Sequence, residues 1–242
     1  MLLPSETMTG TMDSWATSPA ARRLSAIELL VALVALFATL PFLERLRVGP
    51  LIESILLTIA LISAVLAIAG RGVILIIASL IAAPTLAARW IHQYWPEVIP
   101  AEAFLISAII LLVFIIYRLL LFVLRAEIVD TEVLCASVSA YFLIGLLWTF
   151  AYWLIAEVIP GAFALNAATG ANASMKGFNG VYFSFITLGT VGYGDITPVA
   201  NVAKMLAAME GMIGVLYVAV LIARLVSIRA TNKPTLPGPD TQ

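Results

Sequence analysis

The chain has 242 residues, 62% of them hydrophobic and only 11% charged, with a formal net charge of −1 and a mean hydropathy of +1.08. Soluble domains carry about 45–50% apolar and about 25% charged residues, so this composition defines an integral membrane protein. It holds no basic patch of the kind that binds nucleic acid, and Cys135, the single cysteine, excludes a disulfide within the chain and reads as a buried, inert thiol.

Residues 1–20 are polar and small, with Pro4, Gly10 and Pro19, and read as a disordered tail that extends to residue 24. Arg22 and Arg23 precede the first apolar run in the manner of an export signal, but the residues that follow do not continue that pattern, so a retained first helix is expected. A helix needs roughly 20 apolar residues to cross the hydrocarbon core. Candidate spans lie at about 25–43, 51–69, 72–89, 102–124, 133–157 and 200–226. Arg22, Arg23, Arg71, Arg125, Arg229 and Lys233 then gather at one face, which the positive-inside rule makes cytoplasmic, with both termini inside. Arg45 and Arg47 fall on the wrong side, and they keep open a five-span alternative in which 25–43 does not cross.

After the third span, Arg89 to Glu97 reads as an interfacial loop rich in aromatics, including Trp90, Tyr94 and Trp95; Trp148, Tyr152 and Trp153 are expected at the same depth on span five. His92, the only histidine, has a proton-sensing reading and a plain interfacial one. Residues 125–132 form a charged linker in which Asp130 and Thr131 are capping types. The linker either transmits gating force or simply connects. Pro160 to Lys176 is a small-residue turret that contains the sequon Asn172-Ala-Ser174. Phe178 to Leu188 is apolar but too short to cross, and reads as a re-entrant helix enclosed by protein.

The segment that follows, Thr190-Val191-Gly192-Tyr193-Gly194, with Asp195 and Pro198 after it, resembles the selectivity-filter signature of the potassium channel family. In that family successive backbone carbonyls replace the hydration shell of K⁺. Gly192 and Gly194 suit a backbone that alternates in hand. The resemblance covers about 131–227; over its whole length the chain is similar to small bacterial six-span members without a charged voltage sensor. It implies an all-α membrane protein of six transmembrane helices, with a re-entrant pore helix and filter loop between the last two and a tetrameric pore. The expected organisation is a tail at 1–24, a four-helix membrane domain at 25–124, the linker, a pore domain at 133–227 and a short cytoplasmic tail at 228–242. With so short a tail, no cytoplasmic regulatory domain is expected.

The resemblance assigns K⁺ binding to Thr190, Val191, Gly192, Tyr193 and Gly194. Filter support falls to Asp195, Tyr182, Phe183, Thr187 and Glu210, with the Tyr182 hydroxyl expected on Asp195. Gly189 departs from the family, which commonly has a second threonine there. Gly214, 24 residues after Thr190, occupies the hinge position of the inner helix, with Gly211 one turn earlier; close helix packing is the other reading. Glu210 lies within a span and is a functional candidate on cost alone. It is expected behind the filter on Ser184 or Thr187, with cavity lining as the second reading. Span four carries Arg118 and, at its end, Arg125, too few cations for steep voltage dependence. Arg118 is expected to snorkel or to pair with Glu127 or Glu28.

The expected function is a passive K⁺-selective channel in the plasma (inner) membrane, not an enzyme, with K⁺ as permeant ion, no cofactor, no nucleic acid, and lipid and three further copies as its partners. The alternatives are a poorly selective cation pore and a non-conducting or transporter-associated subunit. The first four helices could also serve as a partner-binding or sensing module.

Overall fold

The computed structural model describes residues 19–43, 46–68, 72–95, 97, 98, 100–165 and 174–231. Seven α-helices and one short ribbon follow in order: α1 Pro19–Leu43, α2 Gly49–Ala67, α3 Gly72–Tyr94, α4 Ala101–Arg125, α5 Thr131–Val158, β1 Phe163–Leu165, α6 Phe178–Leu188, β2 Ile196–Pro198 and α7 Asn201–Thr231. Six helices contain windows long and apolar enough to cross a membrane: Ala26–Leu43, Gly49–Ala67, Gly72–Tyr94, Ala101–Arg125, Thr131–Val158 and Asn201–Ser227. The protein is an integral membrane protein.

Helix is the form these stretches must take, because hydrocarbon offers backbone groups no outside partner. Side-chain hydroxyls obey the same constraint. Ser54 donates to the Pro50 carbonyl, Ser137 to Val133 and Thr149 to Gly145, each one turn back on its own helix. In α3, Thr85 donates to Ile81 directly after Pro84, the residue that interrupts the helical ladder.

Several sequence expectations need correction. Helix α1 begins at Pro19, inside the stretch read as tail, and α7 runs to Thr231, past 227. Residues 1–18 and 232–242, Glu44, Arg45 and the sequon asparagine Asn172 lie outside the described residues. The interfacial loop after span three is helical to Tyr94, and Trp90 turns inward to donate to the Thr58 hydroxyl at 3.2 Å. Trp148 and Tyr152 are buried within the chain and stacked on each other. Cys135 is only partly buried. The protein is mostly helical, consistent with the all-α class expected, with one short ribbon added in which β1 and β2 pair antiparallel, Phe163 opposite Pro198 and Leu165 opposite Ile196.

Helix α5 is the axis of the packing. Helix α4 lies along it, α1 packs on both α2 and α5, α3 packs on α4, and α6 is held between α5 and α7. Two-thirds of the apolar window of α5 is buried within the chain, against 11% of that of α7. Phe37 of α1 stacks on Phe142 of α5 and meets the Phe185 ring of α6 edge-on at 4.7 Å. The four-helix part is therefore in direct contact with the short helix that precedes Thr190.

Candidate functional site: the loop after α6 and its support

Helix α6 ends where Gly189 donates to the Phe185 carbonyl. The chain then tightens, and the amides of Val191 and Gly192 both donate to the Ile186 carbonyl, at 2.7 and 3.1 Å. Three alternate residues, Thr190, Gly192 and Gly194, take φ of +56°, +54° and +80°. Thr190 is the one non-glycine residue with positive φ among the described residues, a conformation that is costly for a residue with a Cβ. The alternation in hand expected from the sequence is thus present over the whole motif. Val191 and Tyr193 are 54% and 72% exposed in a single chain. A Cβ at Gly189 would stand 3.1 Å from the Phe185 carbonyl oxygen, so the residue that departs from the family pattern also lets α6 close tightly.

Two covalently distant segments hold the loop. On its far side, pairing of β2 with β1 ties residues 196–198 to the chain that leaves α5. Asp195 accepts from the Ile196 amide at 3.1 Å. Partial burial, together with a hydrogen bond to the Asp195 carboxylate, pushes the Tyr182 hydroxyl up to about 12, so Tyr182 stays protonated and available as the donor expected from sequence. Phe183 is buried edge-on against Tyr152, at 4.9 Å, and Phe163.

Behind α6, Glu210 is wholly buried. Ser184 lies 2.6 Å from one carboxyl oxygen, and the Tyr152 hydroxyl lies 2.5 Å from the other. Ser184 is one of the two partners expected. Thr187 is not the other, because its hydroxyl is spent on the Phe183 carbonyl of its own helix. Tyr152 takes the second place, and sequence reasoning missed it: an aromatic near the end of a span reads as an interface anchor until its partner is known. Cavity lining by the Glu210 side chain is excluded in the same stroke, since its carboxyl is turned into the α5 and α6 packing.

Glycines without a motif of their own make this packing possible. A Cβ at Gly145 would fall 2.6 Å from the Phe185 ring, and one at Gly180 would fall 2.0 Å from Trp153 Nε1. Their only signal in sequence is a small residue within an apolar helix. Gly214 and Gly211, the hinge candidates, lie where α7 meets α6. Helix α7 is continuous through both, and a Cβ at Gly214 would stand 2.0 Å from the Leu188 carbonyl oxygen, so this glycine admits the close packing of α7 on α6 that the second reading expects. At Gly211 the nearest atom, the Thr187 carbonyl oxygen, is 3.6 Å away, which is ordinary contact.

Elsewhere, Asp130 caps α5 as expected, accepting from the Val133 amide at 3.0 Å. Arg118 has a buried Nε without a hydrogen-bond partner, and no ion pair joins it to Glu127 or Glu28 among the described residues. Arg224, near the end of α7, donates to the carbonyls of Leu124 and Ala126 at 3.0 and 3.1 Å, where α4 passes into the linker. His92 lies in α3, with no metal-binding cluster among the described residues.

Residues 133–229, the stretch from α5 to the end of α7, match a protein family described as ion channel. A curated relative, two pore potassium channel c of rice (Oryza sativa subsp. japonica), is 32% identical over 81 residues, which is 34% of this chain and 18% of that protein. This chain therefore spans less than a fifth of that relative's length. No solved structure matches. The matched family is one of ion channels, not of enzymes. Residues 133–229 are thus similar to ion channels and, over 81 residues, to a potassium channel.

Proposed function

We propose that the protein is a passive, K⁺-selective channel in which the carbonyls of Thr190, Val191, Gly192 and Tyr193, ending at Gly194, form the ion-binding filter. The observation that carries this reading is the alternation of backbone hand at 190, 192 and 194 directly after α6, since alternation is what turns successive carbonyls toward one axis. Helix α6 acts as the pore helix, its C-terminal partial negative charge aimed at the ion path. Asp195 and Tyr182 brace the mouth. The reading requires four copies, because one strand of carbonyls encloses nothing. The sparse burial of α7 within one chain and the exposure of Val191 and Tyr193 favour that assembly, as each needs a wall that a neighbouring copy would supply. The filter side faces outward, and both termini are cytoplasmic in a plasma (inner) membrane.

The test is flux through purified protein in liposomes. Ba²⁺-sensitive flux that strongly prefers K⁺ over Na⁺ is expected; equal passage of both ions would replace the selective filter with a nonselective pore and direct attention to Gly189. With Arg118 the one arginine inside α4, before Arg125 at its end, conductance should vary only shallowly with voltage.

Opening is coupled to the first four helices through the linker. Arg224 ties the inner end of α7 to the last carbonyls of α4, where a cation complements the helix dipole by up to about 2 kcal/mol. Arg224→Met keeps the apolar stem and removes both hydrogen bonds. A several-fold change in open fraction is expected in single-channel recordings, with K⁺ selectivity intact. An unchanged open fraction would make the linker a plain connector.

A further inference from the structure

Three short oxygen-to-oxygen contacts meet behind α6, and their hydrogens can be counted. Tyr152 Oη lies 2.5 Å from Glu210 Oε2, Ser184 Oγ lies 2.6 Å from Glu210 Oε1, and the same Ser184 Oγ lies 2.8 Å from the Gly145 carbonyl oxygen. Oxygens approach this closely when a hydrogen lies between them. The tyrosine and serine hydroxyls bring one hydrogen each, whereas a carbonyl and an ionised carboxylate bring none. Two hydrogens cannot serve three contacts.

We infer that Glu210 is held as the neutral acid and is itself a donor: Oε1–H donates to Ser184, Ser184 donates to the Gly145 carbonyl, and Tyr152 donates to Oε2. This directed relay joins α7 to α6, α6 to α5, and α7 directly to α5. It makes Glu210 a positioning residue for the loop at 190–194, acting through the helix that carries that loop. The inference deepens the channel reading and rests on it for the effect on flux alone.

The surroundings agree with the count. The titratable groups facing Glu210 are Tyr152 and Tyr141, both from α5. From α6 the facing polar group is Ser184, and no cation pairs with Glu210 among the described residues. A bare carboxylate so placed would be buried without compensation. The accepting carbonyl is open to Ser184 because Gly145 has no side chain, and the Phe185 ring fills that space instead. The Thr149 hydroxyl, also 2.9 Å from the Gly145 carbonyl, brings its own hydrogen and leaves the count unchanged.

Loss of the proton has a defined consequence. The Ser184 hydrogen turns to the carboxylate, the Gly145 carbonyl loses its cross-helix donor, and α6 is freed from α5 on that side. Glu210→Gln keeps the neutral pattern, with the amide N–H replacing Oε1–H and the amide oxygen accepting from Tyr152, but it cannot ionise.

Infrared difference spectra of wild type against Glu210→Gln in liposomes at neutral pH test the proton without any conduction. The carbonyl stretch of a protonated carboxylic acid is expected in the wild type and absent from the variant; carboxylate bands in its place would overturn the inference. Ser184→Ala removes the acceptor of the Glu210 hydrogen and should shift the same band, so the result does not depend on the glutamine variant assembling. For flux, wild type should change on the alkaline side by at most about tenfold per pH unit, the limit for a single proton, while Glu210→Gln stays flat. A wild-type profile matching that of the variant would overturn the role in positioning. Protein that shows the band but conducts at no pH supports the neutral acid and contradicts the channel reading instead.

Discussion

Gly214→Ala is expected to abolish Ba²⁺-sensitive K⁺ flux, and to do so by displacing α6 rather than by stiffening α7. The added Cβ would meet the Leu188 carbonyl oxygen at 2.0 Å and its carbon at 3.0 Å. Both are backbone atoms, at the last residue of α6 and directly before Gly189, so the clash cannot be relieved by a rotamer change. Overpacking of this kind costs about 1–3 kcal/mol, and it would recur in every copy of an assembled pore. Gly211→Ala is the internal control: its Cβ would lie 3.6 Å from the Thr187 carbonyl oxygen, and flux should survive. The two readings of Gly214 separate by what accompanies lost flux. Packing predicts a lower melting temperature and a weakened oligomer on cross-linking. A hinge predicts an intact, equally stable oligomer with a smaller open fraction, and that outcome would favour the hinge.

Gly192→Ala is expected to abolish discrimination between K⁺ and Na⁺. No heavy atom stands within 4 Å of a Cβ placed there, so no contact opposes the substitution within the chain. The penalty is conformational. At φ +54° an alanine is strained by about 1–2 kcal/mol, and relaxing that strain turns a peptide out of the alternating order set by Thr190, Gly192 and Gly194. A flux ratio that falls toward unity while the protein remains folded is the expected measurement. A retained preference for K⁺ would show that the carbonyl of this peptide is not a determinant of selectivity.

The contrast between these two glycines marks the boundary of what could be read from the chain alone. Gly192 belongs to a contiguous motif whose chemistry is local: consecutive residues set consecutive carbonyls, and the need for positive φ is visible in residue type. Six apolar runs, a short apolar helix before the motif and an Asp130 cap were legible for the same reason, since hydropathy, length and capping act within a few residues. Gly214 was visible as a position, but its role was not. Whether a small residue in an apolar helix bends or packs depends on which face meets a neighbour, and in a membrane hydropathy does not fix that rotation.

What tertiary structure alone decided is the set of long-range pairings around the loop. Tyr152 and Glu210 are 58 residues apart, Ser184 and Gly145 39, and Arg224 and Ala126 98. The β1 with β2 pairing joins chain on either side of α6 that no periodicity connects. Each polar partner was forced by one rule, that a group buried away from water must find hydrogen-bonding company. The amino-acid sequence determined that Glu210 needed partners in the membrane. Only the packing of α5, α6 and α7 decided that they are Ser184 and Tyr152, because helix rotation and register, set by shape where Gly145, Gly180 and Gly214 admit close approach, choose which side chains face one another.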